Sequence, residues 1–312
     1  MHKLMRYIRQ NRKKIIKVAL FVAFLIGLLQ LLNSLSGQSN KSSSKGTKNN
    51  IYNTSNGTII SDKSAVSGGS IATSEIKKVN NEIEEFVKYC NEKNTEEAYN
   101  MISKSCKEEL YPNIDKFITY YYEPLFKDET RTYTIENWVN DTYMVRFTGD
   151  LLATGKSAND FTYQDYITIV EENGESKLNI NKYIGREEIK KEYNSNNIRV
   201  VVLYREKYMD YEVYEIKVTN NTGDTILLDQ LAETDNIYLK DNNETRHIAY
   251  SNEIIKDDLQ IYNGHTSNIK IKFKNPYISK RKIKTLCFSK VILNYDVDNY
   301  GAYNTIKLSI NL

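Results

Sequence analysis

The pattern of apolar and polar positions begins with one long apolar run near the N-terminus. From Val18 to Leu32 the only polar side chain is Gln30. A helix over residues 15–36 is long enough to cross about 30 Å of hydrocarbon at ~1.5 Å per residue. The run therefore predicts a single transmembrane helix. A cleaved signal peptide is the alternative, but the basic stretch before the run is long and no convincing cleavage site follows Leu32.

The segment after the apolar run has a different composition. Residues 37–73 are rich in Ser, Asn, Gly and Lys, with few large apolar side chains. Such a composition buries too little apolar surface to offset chain entropy. We therefore expect residues 37–73 to form a disordered tether.

The next apolar positions recur at helical spacing. They are Ile76, Val79, Ile83, Phe86, Val87 and Cys90. This spacing predicts an amphipathic helix from Ser74 to Lys93. A second helix is expected to start at Thr95, and a third to run from Asn113 to Tyr122 before Pro124 ends it.

From residue 132 the period changes to the alternation of β-strands. Predicted strands cover residues 132–135, 142–147, 163–170 and 177–181, and Asn173-Gly174 between the last two indicates a tight hairpin. A short charged helix is expected at Arg186–Tyr193. Further strands are predicted at residues 199–208, 211–219, 225–228, 237–239, 267–273, 284–293 and 305–310.

These elements predict a fold class and a division into domains. We expect an α+β domain at residues 74–194, with three helices on a curved antiparallel sheet. An all-β sandwich is expected at residues 195–312, because about seven short strands with frequent turns are typical of that architecture.

Charge is distributed unevenly along the chain. The first 61 residues carry ten Lys or Arg and no acidic residue, whereas the remaining 251 carry 33 basic and 40 acidic residues. Basic residues flank the cytoplasmic side of membrane helices. We therefore expect residues 1–14 to be a cytoplasmic tail and the C-terminal domains to lie outside the cell membrane. Their net negative charge argues against nucleic acid as a partner.

Cysteine and histidine are scarce. Cys90 and Cys106 could be bridged, or all three cysteines, including Cys287, could be separate thiols. The chain has three histidines and lacks nucleotide-binding, zinc and nucleophile-elbow motifs. The acidic turn at 295–301 lacks two ligands of a calcium loop. We therefore expect no enzyme activity, no cofactor and no metal.

Two stretches carry a resemblance to known families. Residues 95–110, with Phe117 and the strand at 165–170, resemble the extracytoplasmic nuclear-transport-factor-2-like domains, which have a cystatin-like cone. Residues 214–223 and 263–273 are similar to the immunoglobulin-like domains of bacterial surface proteins. The first resemblance implies a cone of three helices on a curved sheet. Membrane-anchored proteins with such domains include scaffold subunits of conjugation and secretion machines.

The cone resemblance also implies a pocket at the cone mouth. We expect Tyr120, Tyr122, Tyr143 and Tyr163 to form a pocket or patch, with Asp165 as the carboxylate that approaches it. Asp150 and Asp160 could approach the same mouth. Surface carboxylates and codon bias toward Tyr are the plainer explanations of the same residues.

The function expected from these features is binding without catalysis. The chain would be a single-pass membrane protein. Residues 15–36 would anchor it in the lipid bilayer, and its C-terminal domains would serve as a scaffold for other envelope proteins. The sequence does not decide whether the protein forms a homo-oligomer. The alternative is an extracytoplasmic sensor or carrier that takes a small molecule or a peptide in its pocket. A scaffold should expose aromatic patches, whereas a ligand binder should contain a cavity of a few hundred Å³.

Overall fold

The computed structural model describes residues 52–53, 57–61, 63–70, 72–149, 162–230, 235–277, 281–296 and 303–312. These residues belong to one compact unit, 49–312. The predicted tail 1–14, the predicted transmembrane helix 15–36 and much of the predicted tether lie outside the described residues. Within the described ranges, every helix is too short or too polar to span a bilayer.

The helices come early in the described chain. They are α1 (Thr73–Asn91), α2 (Thr95–Asn100), α3 (Lys104–Leu110), α4 (Ile114–Phe117) and α5 (Glu123–Phe126), and a π-helical stretch, Ile118–Tyr122, joins α4 to α5. Side chains cap the start of three of the short helices, and at α2 the Asn94 Oδ1 accepts from the Glu97 backbone N–H at 3.5 Å. Ser103 Oγ accepts from the Cys106 backbone N–H at 3.1 Å, and Asn113 Oδ1 accepts from that of Lys116 at 3.0 Å.

The helices pack on a six-stranded sheet. Its strands are β1 (Tyr52–Asn53), β2 (Gly57–Ser61), β3 (Arg131–Val139), β4 (Thr142–Gly149), β5 (Thr162–Glu172) and β6 (Glu175–Asn179), in spatial order β1-β2-β3-β4-β5-β6. Strands β2 and β3 are parallel and the other neighbours antiparallel. Phe86 and Phe117 from the helices and Phe147 and Ile167 from the sheet are fully buried in the first core.

The remaining strands form two further sheets. They are β7 (Tyr183–Ser195), β8 (Ile198–Tyr208), β9 (Glu212–Asn220), β10 (Ile226–Leu227), β11 (Ile237–Asp241), β12 (Arg246–Ile248), β13 (Gln260–Ile261), β14 (Thr266–Phe273), β15 (Ile283–Ile292) and β16 (Thr305–Asn311). One sheet has the order β14-β9-β8-β7. The other has the order β12-β11-β15-β10-β13, with β16 also paired to β15. The second core contains Val200, Ile216, Leu239 and Phe288.

The predicted fold class is wrong. There is no cone of three helices among the described residues, because only α1 is long and the other helices have four to seven residues. The predicted domain boundary at residue 195 lies between two strands that pair with each other. Strand β7 begins at Tyr183 and pairs with β8, and Tyr208 at the end of β8 is buried in the first core.

The predicted helix at Arg186–Tyr193 is a strand instead. Glu, Lys and Arg favour helices when nothing else decides. Here the segment pairs antiparallel with β8 along most of its length, from Tyr183 opposite Tyr208 to Ser195 opposite Ile198. This tertiary pairing overrides the local helix propensity. The predicted third helix is likewise interrupted by the π-helical stretch.

Most predicted strands and the first helix are confirmed. The helix expected at Ser74–Lys93 is α1, and the strands expected from residue 132 correspond to β3–β6. Asn173 and Gly174 both have positive φ, 54° and 84°, as a tight hairpin turn requires. Residues 52–53 and 57–61, within the predicted tether, and residues 246–248 form strands that the pattern did not predict.

Candidate functional site

The structure separates the five residues predicted to form a pocket. Tyr120 is 61% exposed on the π-helical stretch, whereas Tyr122 and Tyr143 are buried in the first core. Tyr163 is half-buried on β5, and Asp165 is fully buried two residues further along. Of the five, Tyr163 lines the cavity described below, and the other four are not part of its lining. Asp150 and Asp160 lie outside the described residues.

Asp165 is held by four hydrogen bonds. Its Oδ2 accepts from the Tyr121 hydroxyl and the Asn181 backbone N–H, both at 2.9 Å. Its Oδ1 accepts from the backbone N–H of Lys182 at 2.9 Å and of Tyr166 at 2.7 Å. Every donor is on this protein, and the side chain has no exposed surface. Asp165 therefore cannot touch a ligand and acts as a structural anchor.

The Asp165 carboxylate organises the turn between β6 and β7. Asn181 and Lys182 both have positive φ, 57° and 63°; this costs roughly 1–2 kcal/mol for a side chain such as that of Lys182 and less for an asparagine. This conformation directs their successive N–H groups to the carboxylate. Burial raises the pKa of Asp165, and the four donors act in the opposite direction. The carboxylate thus stabilises a strained turn.

That turn forms one wall of a cavity of about 310 Å³. The apolar part of the lining is Leu110, Tyr163, Tyr208, Met209 and Tyr211. The polar part is Gln164, Asn181, Lys182 and Asp210. The cavity lies where α3, β5, the β6–β7 turn and the β8–β9 turn meet. We call it the tyrosine cavity.

Hydrogen bonds and ring contacts fix the opposite wall. The rings of Tyr208 and Tyr211 stack with centroids 4.3 Å apart, and the Tyr208 hydroxyl donates to Glu109 Oε1 at 3.1 Å. The Met209 backbone N–H donates to the Lys182 carbonyl at 3.0 Å. The tyrosine cavity is therefore preformed rather than assembled from loose loops.

The faces of the Tyr211 ring are both occupied. Tyr208 stacks on one face, and the Lys272 ammonium lies 3.8 Å from the ring centroid. A stacked ring and an ammonium this close cannot share one face. Tyr211 thus offers its edge to the cavity, and ring edges are electropositive. The tyrosine cavity is consequently a poor aromatic cage for a cation.

A larger depression, of about 540 Å³, lies beside α2 and α3 but is wide open. Its charged lining residues include Lys104, Lys107, Glu108, Glu172 and Lys177. Several of these charged residues already have partners within the protein. Lys104 Nζ is 3.8 Å from Glu108, and Glu172 accepts from the Lys104 backbone N–H at 3.1 Å. We therefore regard the smaller tyrosine cavity as the better candidate site.

The described cysteine and histidine side chains are not part of the lining of the tyrosine cavity. All three cysteines are free and buried, so the alternative of a Cys90–Cys106 bridge is wrong. Burial raises the pKa of Cys106 to about 12, which keeps it a thiol. His247 lies 3.0 Å from Asp241 Oδ2 and 3.1 Å from Arg281 Nη1. In the described part of the chain, no cluster of three or more His, Cys, Asp or Glu could hold a metal ion.

Sequence reasoning missed most of the cavity lining. It found Tyr163 but not Tyr208, Met209, Tyr211 or Lys182. One available signal was the sequence Tyr208-Met-Asp-Tyr211 between two predicted strands, since two aromatic residues flanking a tight turn are unusual in a purely solvated loop. Comparison of the chain with protein-family models, curated proteins and solved structures finds no match.

Proposed function

We propose that this protein binds a small molecule or a peptide side chain in the tyrosine cavity, without catalysis. The observation that carries the proposal is the preformed cavity of about 310 Å³ with five apolar and four polar lining residues. Ligand sites are typically concave, about 300–1,000 Å³ in volume, and mainly apolar with a few polar groups that set orientation. The tyrosine cavity lies at the lower end of this range and suits a small ligand.

We also propose that residues 15–36 anchor the protein in the cell membrane and that the tyrosine cavity lies on the extracytoplasmic side. The apolar run and the basic residues before it support this topology. In fractionated cells the full-length chain should sediment with membranes, and protease added to intact cells stripped of their wall should cut it. Release of the protein on deletion of residues 1–36 is expected; an unchanged distribution would contradict the anchor.

A scaffolding role has weaker support. The large apolar side chains exposed in the described ranges are Val66, Tyr120, Ile248, Ile255 and Tyr262. They come from five different segments, and single exposed apolar residues are normal on soluble surfaces. Binding in the tyrosine cavity therefore remains the function that the geometry favours.

Methyl NMR can test the proposed ligand binding directly. The chain has five methionines, and Met209 is the one that lines the tyrosine cavity. Full-length protein with ¹³C-methyl methionine would be screened against a library of small acids, amides, amines and short peptides. We expect a subset of compounds to shift the Met209 signal and to leave the Met101 and Met144 signals unchanged. The signal that disappears in the Met209→Leu variant is the signal of Met209.

A pair of variants provides the control for this screen. Leu110→Trp puts a larger side chain into the cavity wall and should weaken the Met209 response at least tenfold. Tyr120→Trp changes an exposed position elsewhere and should leave the response unchanged. If no compound shifts Met209, or if Leu110→Trp has no effect, the proposal is wrong.

A further inference from the structure

A second cavity adjoins the tyrosine cavity. It has a volume of about 200 Å³, and the stacked rings of Tyr208 and Tyr211 line both cavities. The other described residues of its lining are Arg205, Lys207, Glu212, Asn275, Pro276, Tyr277 and Arg281. Most of these side chains carry hydrogen-bonding groups, so the groups that still lack a partner indicate what the cavity can bind.

The cationic side chains of the second cavity already have partners on the protein. Arg205 Nη2 and Lys207 Nζ donate to Glu187 Oε2 at 2.5 Å and 3.2 Å. Arg281 Nη1 donates to the Lys274 carbonyl at 3.2 Å. An anionic ligand would have to displace these partners, so charge alone does not make the second cavity a binding site.

Two buried atoms of the same lining have no hydrogen-bond partner in the described part of the chain. They are Arg205 Nε, a donor, and Asn275 Oδ1, an acceptor. Burial raises the pKa of Glu212, whereas Arg205 and a hydrogen bond from the Asn275 side chain act to lower it. Because a carboxylate only accepts hydrogen bonds, Asn275 turns its NH₂ group to Glu212 and leaves Oδ1 for another donor.

The segment that carries Asn275 is held in place by Tyr277. The Tyr277 backbone N–H donates to the Met209 carbonyl at 2.9 Å, and the Tyr277 hydroxyl accepts from Asn140 Nδ2 at 3.2 Å. Asn275 Oδ1 is therefore positioned in the lining before any ligand binds. Such preorganisation lowers the cost of binding.

We infer that the second cavity binds an uncharged group that accepts a hydrogen bond from Arg205 Nε and donates one to Asn275 Oδ1, as an amide does. A buried donor or acceptor without a partner destabilises the protein, and a ligand that partners both atoms removes this cost. A carboxylate or a phosphate dianion has no donor for Asn275 and brings negative charge close to Glu212. An ammonium group has no acceptor for Arg205. The second cavity is a site of its own, and its occupation does not require a ligand in the tyrosine cavity.

The Arg205 Nε–H signal in ¹⁵N NMR spectra reports occupation of the second cavity directly. Full-length ¹⁵N-labelled protein would be titrated with butyramide, methyl butyrate and butyrate, which share one carbon chain. The ester lacks the donor, and butyrate lacks the donor and carries a charge. We expect butyramide to bind about tenfold more tightly than either of the others. The signal that is lost in the Arg205→Lys variant is that of Arg205.

Asn275→Leu tests the donor half of this recognition. The variant removes the acceptor, so the preference for butyramide over methyl butyrate should fall from about tenfold to less than about twofold. Asn268→Leu makes the same replacement at an exposed position on β14 and should leave the preference unchanged. The other arginine signals report whether each variant is folded.

Three results would overturn the inference. Equal affinities for butyramide and methyl butyrate, or an unchanged preference in Asn275→Leu, would show that Asn275 Oδ1 takes no part in binding. Tightest binding of butyrate would mean that the cavity selects an anion. An Arg205 signal that no probe moves would mean that water alone occupies the cavity. The Met209 screen reports the tyrosine cavity through a different signal, so either site can fail without the other.

Discussion

At the scale of single residues, Asp165 is important for the site although it cannot reach a ligand. Asp165 and Tyr163 are two residues apart on β5, so both side chains lie on the inner face of the sheet. Tyr163 reaches the cavity, whereas Asp165 fixes the turn at Asn181 and Lys182 that forms the cavity wall. The role of Asp165 is therefore to position the wall.

Replacing Asp165 tests this role. In Asp165→Asn, either orientation of the amide turns its NH₂ group toward two of the four donors, which lose their acceptor. We expect the free energy of unfolding to fall by about 2 kcal/mol, as for buried donors left unsatisfied. Urea unfolding measures the change. Asp210→Asn, at an exposed position beside the same cavity, should change stability by less than about 0.5 kcal/mol. A stable Asp165→Asn protein with an unchanged Met209 signal would contradict the anchor role.

Asp241 gives a pH-dependent prediction. The hydrogen bond with His247 holds the pKa of Asp241 below its usual value, and the N–H groups of Asn243 and Thr245 act in the same direction. A depressed pKa in the folded state means that the unfolded state binds more protons near that pKa. The contribution of Asp241 to stability is therefore present above about pH 4 and is lost as the pH falls below it.

The measurement is the difference in urea midpoint between the wild type and Asp241→Asn from pH 7 to pH 3. We expect the wild type to be more stable at pH 7 and the difference to shrink below about pH 4. Asp257→Asn, at an exposed position, should follow the wild type throughout. A difference that grows as the pH falls would have the wrong sign for this assignment.

At the scale of elements, the sequence predicted strands better than helices. Alternation and turn residues located β3–β6, β8 and β9 within a few residues, because side chains on the two faces of these strands meet different environments. The charged segment 186–193 could not be assigned in this way. Its conformation depends on pairing with β8. The break in the predicted third helix has the same kind of origin, since the π-helical stretch buries Tyr121 against Asp165.

At the scale of the whole molecule, the sequence pattern could not predict the order of strands in the sheets. Tyr208 is 45 residues from Tyr163 along the chain, yet both line one cavity. Polar contacts also join α3 to the four-stranded sheet. Arg186 donates to Glu108 of α3 at 2.6 Å and to Glu206 of β8 at 2.5 Å. No local period predicts such long-range contacts, so most of the tyrosine cavity could not be found.

These contacts predict which fragments of the chain can fold cooperatively. A fragment that ends at residue 194 removes β8 from β7 and Tyr208 from the first core. We expect such a fragment to lack a cooperative thermal transition by circular dichroism. A fragment of residues 49–312 keeps both cores and should unfold cooperatively. A cooperative transition in the fragment that ends at 194 would contradict the shared core.

The stacked pair of Tyr208 and Tyr211 lines two chambers at once, the tyrosine cavity and a second cavity of about 200 Å³. A compound that tilts either ring on one side changes the shape of the space on the other. Occupation of the two chambers is therefore thermodynamically linked, and the factor by which a first occupant changes the affinity of a second must equal the factor in the reverse order. Two weak fragments, one for each chamber, would measure this cooperativity without any linker between them.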